Sequence, residues 1–389
     1  MDIPGLKATA IAEVERRRDE LIALSVRIHD HPELGFEERK ASAWLSEYLE
    51  QNRFTVERGF CELETAFRAR CGGGEPRIAF LAEYDALPGI GHGCGHNIIA
   101  AAAVGAACAM RGVVDEVGGT VLAIGTPAEE GYGGKVLMMK RGAFTDLDAA
   151  LIVHPGSLDI ASIEALACIG LEVEFHGRAA HAAAQPHQGI NALEAMVLAF
   201  NGINSLRQHV AERARIHGII THGGEAANIV PDYSAGHFLV RAEDEAYLEE
   251  LQEKVLNCFL AAALATGARL EHRWQEEAHY APLKANRVLA EAFAANMAAL
   301  GRTMMPPLGR GFGSSDVGNV SMVVPSIHPL IAIAPLEVAT HSEGFTQAAV
   351  SEEGHHGLLD GAKAMAMTAI DLLARPELMA RVREEFLAP

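Results

Sequence analysis

The stretch RIAFLAEYDALPGIGHGCGHN, residues 77–97, decides the fold because it joins a buried strand to a dense group of polar side chains. Its first six residues, Arg77–Ala82, form a nearly continuous apolar run, which is typical of a short strand covered on both faces. The polar residues that follow are Glu83, Asp85, His92, Cys94 and His96. Acids, imidazoles and a thiol at the end of such a strand indicate a functional site at one edge of a sheet.

Three later apolar runs also lead into polar side chains. They are Thr120–Gly125 before TPAEEG, Ala149–Val153 before His154-Pro155, and Pro329–Ala334, which His341 follows a few residues later. Such runs alternate with helical stretches, and this pattern predicts an α/β fold with a mostly parallel sheet and helices on both faces. Because ligands bind at the carboxyl ends of parallel strands, we expect the four polar clusters to share one site.

The middle of the chain has a different pattern of predicted strands and helices. Its periodicities predict the order β-α-β-β-α-β, which is typical of a ferredoxin-like α+β module. We place this inserted domain at residues 166–280, between a first part of the larger domain at residues 1–165 and a second part at residues 281–389. An open sheet edge or helix face of such a module predicts a role in dimerisation or as a lid.

Composition narrows the function class. The chain has 389 residues, of which 49% are hydrophobic, and its formal net charge is −19. Such an acidic surface repels nucleic acid and anionic membranes, so we expect neither as a partner. We find no signal peptide and no apolar stretch long enough to span a membrane. The six cysteines follow no disulfide framework, which indicates reduced thiols and a cytoplasmic protein.

The stretch TPAEEGYGG carries two adjacent carboxylates, Glu129 and Glu130, directly after a predicted strand. Neighbouring strand residues point to opposite faces, so a turn is needed for both to serve one site, and the glycines supply one. With a metal present the roles can divide, with Glu130 as ligand and Glu129 as the base that takes a proton from water. Alone, the pair equally fits two exposed glutamates at a helix start.

Imidazole, thiolate and carboxylate together suit zinc and tolerate manganese or cobalt. Any single histidine here could be a hydrogen-bonded structural residue, and a cysteine could be a small buried hydrophobe. Repetition favours the metal, because five ligand-type residues from four segments fall at one predicted sheet edge. They are Cys94, His96, Glu130, His154 and His341, with His92 as a competing ligand.

A set of motifs resembles a known family. HDHPELGFEE, EYDALPGIGHGCGHN, GTPAEEGYGG, IVHPG, GRAAHAAAQPHQGINALEA, GGEAANIVPDY and HSEGF occur in this order. They resemble family twenty of the metallopeptidases, in its amidohydrolase branch, over nearly the whole chain. Together with GSSDVGNVS, residues 313–321, they are most similar to the group of aminobenzoyl-glutamate hydrolase and related dipeptidases. The resemblance implies a fold like that of the di-metal aminopeptidases.

The resemblance also implies residue roles. Five residues match the ligands of a two-metal site for Mn²⁺ or Zn²⁺, with Co²⁺ possible: Cys94, His96, Glu130, His154 and His341. Glu129 matches the general base, and Asp85 matches the acid that orients a metal ligand. In the inserted domain, His181 matches the histidine that stabilises the oxyanion, often in the partner subunit's site. Asn228 and Arg241 match residues that hold the substrate, with Arg241 on a carboxylate.

The branch usually has an aspartate after the ligand histidine and another histidine two residues later, whereas this chain has Asn97 and Ile99. This departure concerns the tuning of the metals and leaves the ligands in place. We therefore expect a homodimeric metal-dependent amidohydrolase that cleaves an N-acyl amino acid, an aminobenzoyl-glutamate-like conjugate or a dipeptide. Hydrolysis of another C–N bond, or an inactive relative that binds metal or ligand, stays open.

Overall fold

The computed structural model describes residues 1–306 and 313–388, and these form two compact units. The first unit holds residues 1–164, 283–306 and 316–388. The second holds residues 165–282 and 313–315. The first unit therefore contains every metal ligand that the sequence predicts, and the second contains His181, Asn228 and Arg241.

The elements are numbered in chain order. The helices are α1 Ile3–Arg16, α2 Arg18–His29, α3 Arg39–Gln51, α4 His96–Arg111, α5 Val114–Val117, α6 Gly134–Lys140, α7 Ala192–Leu206, α8 Glu245–Thr266, α9 Arg287–Ala299, α10 Val317–Ser321, α11 Glu343–Ala348, α12 Glu352–Ala374 and α13 Pro376–Leu387. The strands are β1 Thr55–Arg58, β2 Phe67–Gly73, β3 Arg77–Ala82, β4 Gly119–Gly125, β5 Ala149–Leu151, β6 His154–Gly156, β7 Ala167–His176, β8 Arg215–His222, β9 Tyr233–Ala242, β10 Arg269–Trp274, β11 Ser326–Ile327 and β12 Leu330–Ala332.

The main sheet of the first unit has the strand order β1-β2-β4-β3-β5-β11. Strands β4, β3, β5 and β11 run parallel, whereas β1 and β2 continue the sheet antiparallel at one edge. The prediction of a mostly parallel sheet is confirmed. The run Pro329–Ala334 differs in detail, because β12 pairs with β6 in a separate two-stranded ribbon.

The strands of this sheet are buried on both faces, as their apolar sequences predict. Along β3, Ile78 and Phe80 pack into one hydrophobic cluster, and Ala79 and Leu81 pack into another. This alternation follows from the two-residue period of a strand. Helix α4 lies in the first cluster and is buried from His96 to Met110, which fixes its first residue beside the strand ends.

The second unit is an antiparallel sheet with the order β10-β7-β9-β8. Its two long helices, α7 and α8, pack on one face through a separate hydrophobic cluster. The chain order β-α-β-β-α-β is the one that the sequence predicts, and RIHGIITH and RLEHRW match β8 and β10 residue for residue. The ferredoxin-like α+β prediction is therefore confirmed. In the described parts of both units, no helix is long and apolar enough to cross a membrane.

Candidate metal centre

A short loop before α4 presents the first two predicted ligands, Cys94 and His96. Gly95 lies between them in the left-handed region, with φ of 77°. A side chain at Gly95 would collide with the ring of Pro155 in β6. Only glycine avoids both the strain and the collision, so the loop packs directly against the strand that begins with His154.

Asp85 orients two parts of this centre. Its Oδ1 lies 3.0 Å from His96 Nδ1, and its Oδ2 accepts a hydrogen bond from the backbone N–H of Glu130 at 2.9 Å. The first contact assigns the Nδ1 proton of His96 and leaves Nε2 to face the site. Burial opposes a charged ring, but Asp85 raises the pKa of His96 well above its usual range. The position at Nε2 therefore favours positive charge, whether a proton or a cation.

The two adjacent glutamates follow β4 through a turn. Ala128 has φ of 60°, and its N–H donates to the buried Glu38 carboxylate at 2.8 Å. Strain at a non-glycine residue indicates a backbone held by its surroundings, here beside the site. The turn brings carboxylate oxygens of Glu129 and Glu130 to within 4.8 Å of each other and of His96. Burial, followed by repulsion from Glu83 and Glu130, raises the pKa of Glu129 well above its usual range.

Hydrogen bonds fix the other two predicted histidine ligands, His154 through its ring and His341 through its backbone. Nδ1 of His154 lies 2.6 Å from the carbonyl oxygen of Pro155 and donates to it, which leaves Nε2 to face Cys94. His341 has a left-handed φ of 61°, and its N–H donates to the carbonyl of Gly93 at 2.8 Å. That bond ties a late segment of the chain to the loop of Cys94 and His96.

The donor atoms face one another at metal-ligand spacings. Sγ of Cys94 lies 3.4 Å from Nε2 of His154, and Oε1 of Glu130 lies 3.5 Å from Nε2 of His341. Two ligands at 2.0–2.3 Å from a tetrahedral cation are roughly 3.3–3.8 Å apart. Among the described residues, Nε2 of His96 and Oε1 of Glu130 are buried without a hydrogen-bond partner. These observations fit a divalent cation.

The donor set divides into overlapping groups. Cys94, His96 and His154 form one group, and Cys94, Glu130 and His341 form another, each with its donor atoms within 4.8 Å. Burial lowers the pKa of His154 to about 4, which keeps its ring neutral as a metal ligand must be. Burial also raises the pKa of the Cys94 thiol, and a bound cation would reverse that shift.

Comparisons with known proteins identify the family of this chain. Residues 167–266 match the peptidase dimerisation domain of the M20 family. The chain is 40% identical to the Xaa-Arg dipeptidase of Mus musculus, over 98% of this chain and 92% of that protein. It is 37% identical to one of the subunits of p-aminobenzoyl-glutamate hydrolase from Escherichia coli, over 72% of this chain and 62% of that protein.

The solved structure of a dinuclear metal-binding M20 peptidase from Bacillus subtilis shares the fold, with a TM-score of 0.71 and 20% identity. The alignment covers 92% of this chain and 99% of that one. The chain belongs to the M20 peptidase family. This M20 chain is a metal-dependent amidohydrolase that acts on carbon–nitrogen bonds and uses divalent metal. The family and the class of enzyme expected from its motifs are confirmed.

Two residues singled out in the sequence lie outside the donor groups: His92, the competing ligand, and Asn97, where the chain departs from the branch. His92 is buried and packs at 6.2 Å from the ring of His29, and burial lowers its pKa to about 3. Its ring belongs to none of the donor groups found in the described residues. Asn97 donates hydrogen bonds to Ser25 Oγ and to the carbonyl of Ala349. Asn97 thus ties α4 to neighbouring segments.

The second unit holds the three remaining predicted site residues, at two places. His181 and Asn228 lie on exposed, adjacent segments, because His181 bridges to Ile229 and the N–H of Ala182 donates to the carbonyl of Asn228. Arg241 lies near the far end of β9, where its Nη1 donates to Ser314 Oγ at 2.8 Å. The structure therefore brings His181 and Asn228 together and places Arg241 elsewhere on the sheet.

Sequence reasoning gave no role to four buried polar residues beside the centre. Glu83, Lys135 and Asp316 form an ion-paired group, and the ring of His328 lies 5.4 Å from that of His154. Two signals in the sequence could have found them. Glu83 stands two residues before Asp85 and so shares its side of the extended chain, and His-Pro follows two neighbouring parallel strands at His154 and His328.

Proposed function

We propose that this M20 enzyme hydrolyses the amide bond of a dipeptide, with a basic residue on the carboxyl side as the preferred leaving group. One observation carries the proposal: five metal-donor side chains meet in overlapping groups, and Glu129 lies in a third group with His96 and Glu130. The relative with 40% identity over nearly the whole chain is an Xaa-Arg dipeptidase. The net charge of −19 favours the approach of cationic substrates.

We assign two divalent cations to the centre, Mn²⁺ or Zn²⁺, with Co²⁺ as a substitute. Cys94, His96 and His154 would hold one, and Cys94, Glu130 and His341 would hold the other, so that the thiolate is shared. When bound, such ions polarise an amide carbonyl and make water more acidic. A dinuclear relative with the same fold supports this count.

Glu129 acts as the base and then as the acid of the reaction. Its carboxylate takes a proton from the attacking water, whose oxygen forms a bond to the amide carbon. It then passes that proton to the amide nitrogen as the carbon–nitrogen bond breaks. A carboxyl group whose pKa is raised by burial and by Glu83 and Glu130 holds a proton more readily than an ordinary glutamate.

His181 donates a hydrogen bond to the oxygen of the tetrahedral intermediate. The N–H groups of Ala183 and Ala184 point at its Nδ1 at 3.3 and 3.2 Å, so Nδ1 accepts and the neutral ring carries its proton on Nε2. This tautomer presents a donor at the exposed side of the ring. Removal of one such donor typically costs on the order of 10²–10³ in rate.

We propose that the active enzyme is a homodimer in which His181 and Asn228 serve the partner's site. Arg241 is eight residues along β9 from Tyr233, next to the His181 and Asn228 segments, and at roughly 3.3 Å per residue this is about 26 Å. A dipeptide spans only about 7 Å. One copy of the sheet therefore does not easily offer all three side chains to one substrate, whereas two copies can.

Arg241 would bind the substrate carboxylate through its guanidinium. We also propose a cytoplasmic location, which the six free cysteines support. An aminobenzoyl-glutamate-like conjugate is the second candidate substrate, because a relative of that activity is 37% identical.

A hydrolysis panel tests the proposal. The purified protein, loaded with Mn²⁺ or Zn²⁺, is incubated with Xaa-Arg, Xaa-Lys and Xaa-Glu dipeptides, N-acetyl amino acids and aminobenzoyl-glutamate, and products are identified by mass. We expect the dipeptides with basic carboxyl-side residues to give the highest kcat/KM. Preference for aminobenzoyl-glutamate would favour the second candidate, and hydrolysis of none of these amides would refute both.

A further inference from the structure

A buried lysine lies next to the metal centre without a role in the chemistry above. Lys135 at the start of α6 is fully buried, and its Nζ lies 2.6 Å from Glu83 Oε1 and 2.8 Å from Asp316 Oδ1. Its backbone N–H also donates to Asp316 Oδ2 at 2.8 Å. Burial of a cation and two carboxylates costs solvation free energy, so such a group calls for an explanation beyond stability.

Glu83 joins this group to the centre. One carboxylate oxygen is bound by Lys135, and the other, Oε2, faces Nε2 of His96 at 3.7 Å. Glu83 and His96 are both fully buried. Among the described residues, neither of these two facing atoms has a hydrogen-bond partner.

In this arrangement, a positive charge between Nε2 of His96 and Oε2 of Glu83 would stabilise both atoms. Because Nδ1 of His96 is held by Asp85, Nε2 is the ring atom left to bind, and it faces the unpartnered Oε2 of Glu83. A proton on Nε2 does not join them well, since 3.7 Å is beyond hydrogen-bond distance. A divalent cation at about 2.0–2.2 Å from each atom bridges a 3.7 Å gap at an ordinary ligand angle.

Lys135 explains why Glu83 can play this part. Its ammonium group binds Oε1 of Glu83, which leaves Oε2 on the side of His96. Lys135 is in turn fixed at its backbone and at its ammonium group by Asp316. The Glu83 carboxylate is therefore held with one oxygen turned to the ligand nitrogen of His96.

We infer that Glu83 is a further carboxylate of the metal centre, with Lys135 as the positioning residue that turns its Oε2 to the cation bound by His96. The inference deepens the proposed function, because it adds a side chain to the same centre. A purely structural ion-paired group is the competing explanation. It predicts that Glu83 affects folding and leaves metal affinity unchanged.

Glu83→Gln separates these explanations. The amide keeps the size of the side chain, and its oxygen can still accept from Lys135, but an NH₂ group then faces His96 and cannot bind a cation. Metal affinity is measured by chelator competition with Mn²⁺ or Zn²⁺, ion content by elemental analysis, and stability by thermal unfolding of the metal-free protein. We expect at least a tenfold loss of affinity for one ion and little change in the unfolding midpoint.

Asp316→Asn is the matched control, because it also removes a carboxylate from Lys135 but leaves Glu83 Oε2 in place. Because Asp316 also fixes Lys135, we expect a small loss of metal affinity that is clearly less than in Glu83→Gln. Wild-type affinity in Glu83→Gln, or equal losses in both variants, would overturn the inference. These assays contain no substrate, so their outcome is independent of whether the proposed dipeptides are hydrolysed.

A second measurement uses the wild-type protein and decides the matter if Glu83→Gln does not fold. Crystals of the metal-loaded enzyme locate the ions by anomalous scattering. An ion within about 2.5 Å of Glu83 Oε2 supports the inference. Ions bound at the centre with Glu83 Oε2 beyond about 3.5 Å of each of them would contradict it.

Discussion

The metal centre of the first unit and the substrate-binding residues proposed in the second unit are built in opposite ways. His96 and His154 are held by hydrogen bonds to the ring atoms that face away from the centre. His181 and Asn228 are exposed, and their adjacent segments are joined by backbone contacts. If the proposed roles are right, the metal centre is complete within one folded unit, whereas substrate binding depends on an encounter with substrate or with a second copy.

The largest effect is expected from Glu129→Gln. This change keeps the size of the side chain but removes the group that we propose to carry the proton, and general acid–base catalysis typically contributes 10²–10⁴ in rate. We expect kcat to fall by about 10³, with the metal content of the protein unchanged. Steady-state kinetics and elemental analysis on one preparation measure both.

Glu130→Gln is the control for this pair of adjacent glutamates. Glu130 contributes a donor atom to the group with Cys94 and His341, so its amide variant should lose both metal and activity. If Glu129→Gln lost metal as well, Glu129 would be a ligand and its assignment as base would be wrong.

The next effect tests the dimer directly. His181→Ala and Arg241→Ala should each lose activity, His181→Ala by on the order of 10². The reason is that every active site of the proposed homodimer combines His181 of one subunit with Arg241 of the other. In a re-equilibrated mixture, half of the dimers are mixed, and each mixed dimer has one site with both residues intact. Mixing should therefore restore about a quarter of wild-type activity.

The control for this experiment is a mixture of two preparations of His181→Ala, which should stay inactive. Subunit exchange is verified by mass spectrometry of the intact dimers. Mixed dimers that form without any gain in activity would show that His181 and Arg241 act in the same subunit's site.

A smaller effect is expected from Asp85→Asn. The amide can still contact His96, but its single oxygen cannot accept hydrogen bonds from both His96 and the Glu130 N–H. The amide also lacks the negative charge of the carboxylate. Loss of such an orienting carboxylate typically weakens metal binding 10–100-fold. Chelator competition measures the change, and an affinity equal to that of the wild type would show that Asp85 does not orient the centre.

Much of the fold could be predicted from the sequence, because its signals are local. The continuous apolar runs of β3 and β4 predict buried parallel strands, and β8 and β10 are bounded as their sequences predict. The pairing of β12 with β6 could not be predicted in this way. An apolar run shows that a strand is buried but does not show which strand it joins.

In the candidate site, too, local features could be predicted from the sequence and contacts between distant segments could not. The donor atoms come from residue types and sheet-edge positions that the sequence displays, and the structure brings all five together with Glu129 and Asp85. The Lys135 group could not be predicted, because a single lysine in an apolar segment gives no sign of its distant partners Glu83 and Asp316. The contact of Gly95 with Pro155 is of the same kind, since it depends on packing between distant segments.

That contact is expected to affect stability and to have the smallest effect on catalysis, and it tests how rigidly the metal centre is built. Gly95→Ala introduces a left-handed alanine and a collision with Pro155, whereas Gly89→Ala, at φ of 74° in the same loop, meets open space. Both should lose about 1 kcal/mol or more for the backbone strain, and Gly95→Ala should lose roughly a further 1–3 kcal/mol for overpacking. Urea unfolding with and without metal measures the difference. Equal losses of unfolding free energy in the two variants would mean that the loop of Cys94 and His96 can shift to accommodate the added methyl group. The contrast between a rigid metal centre and adaptable substrate residues would then no longer hold.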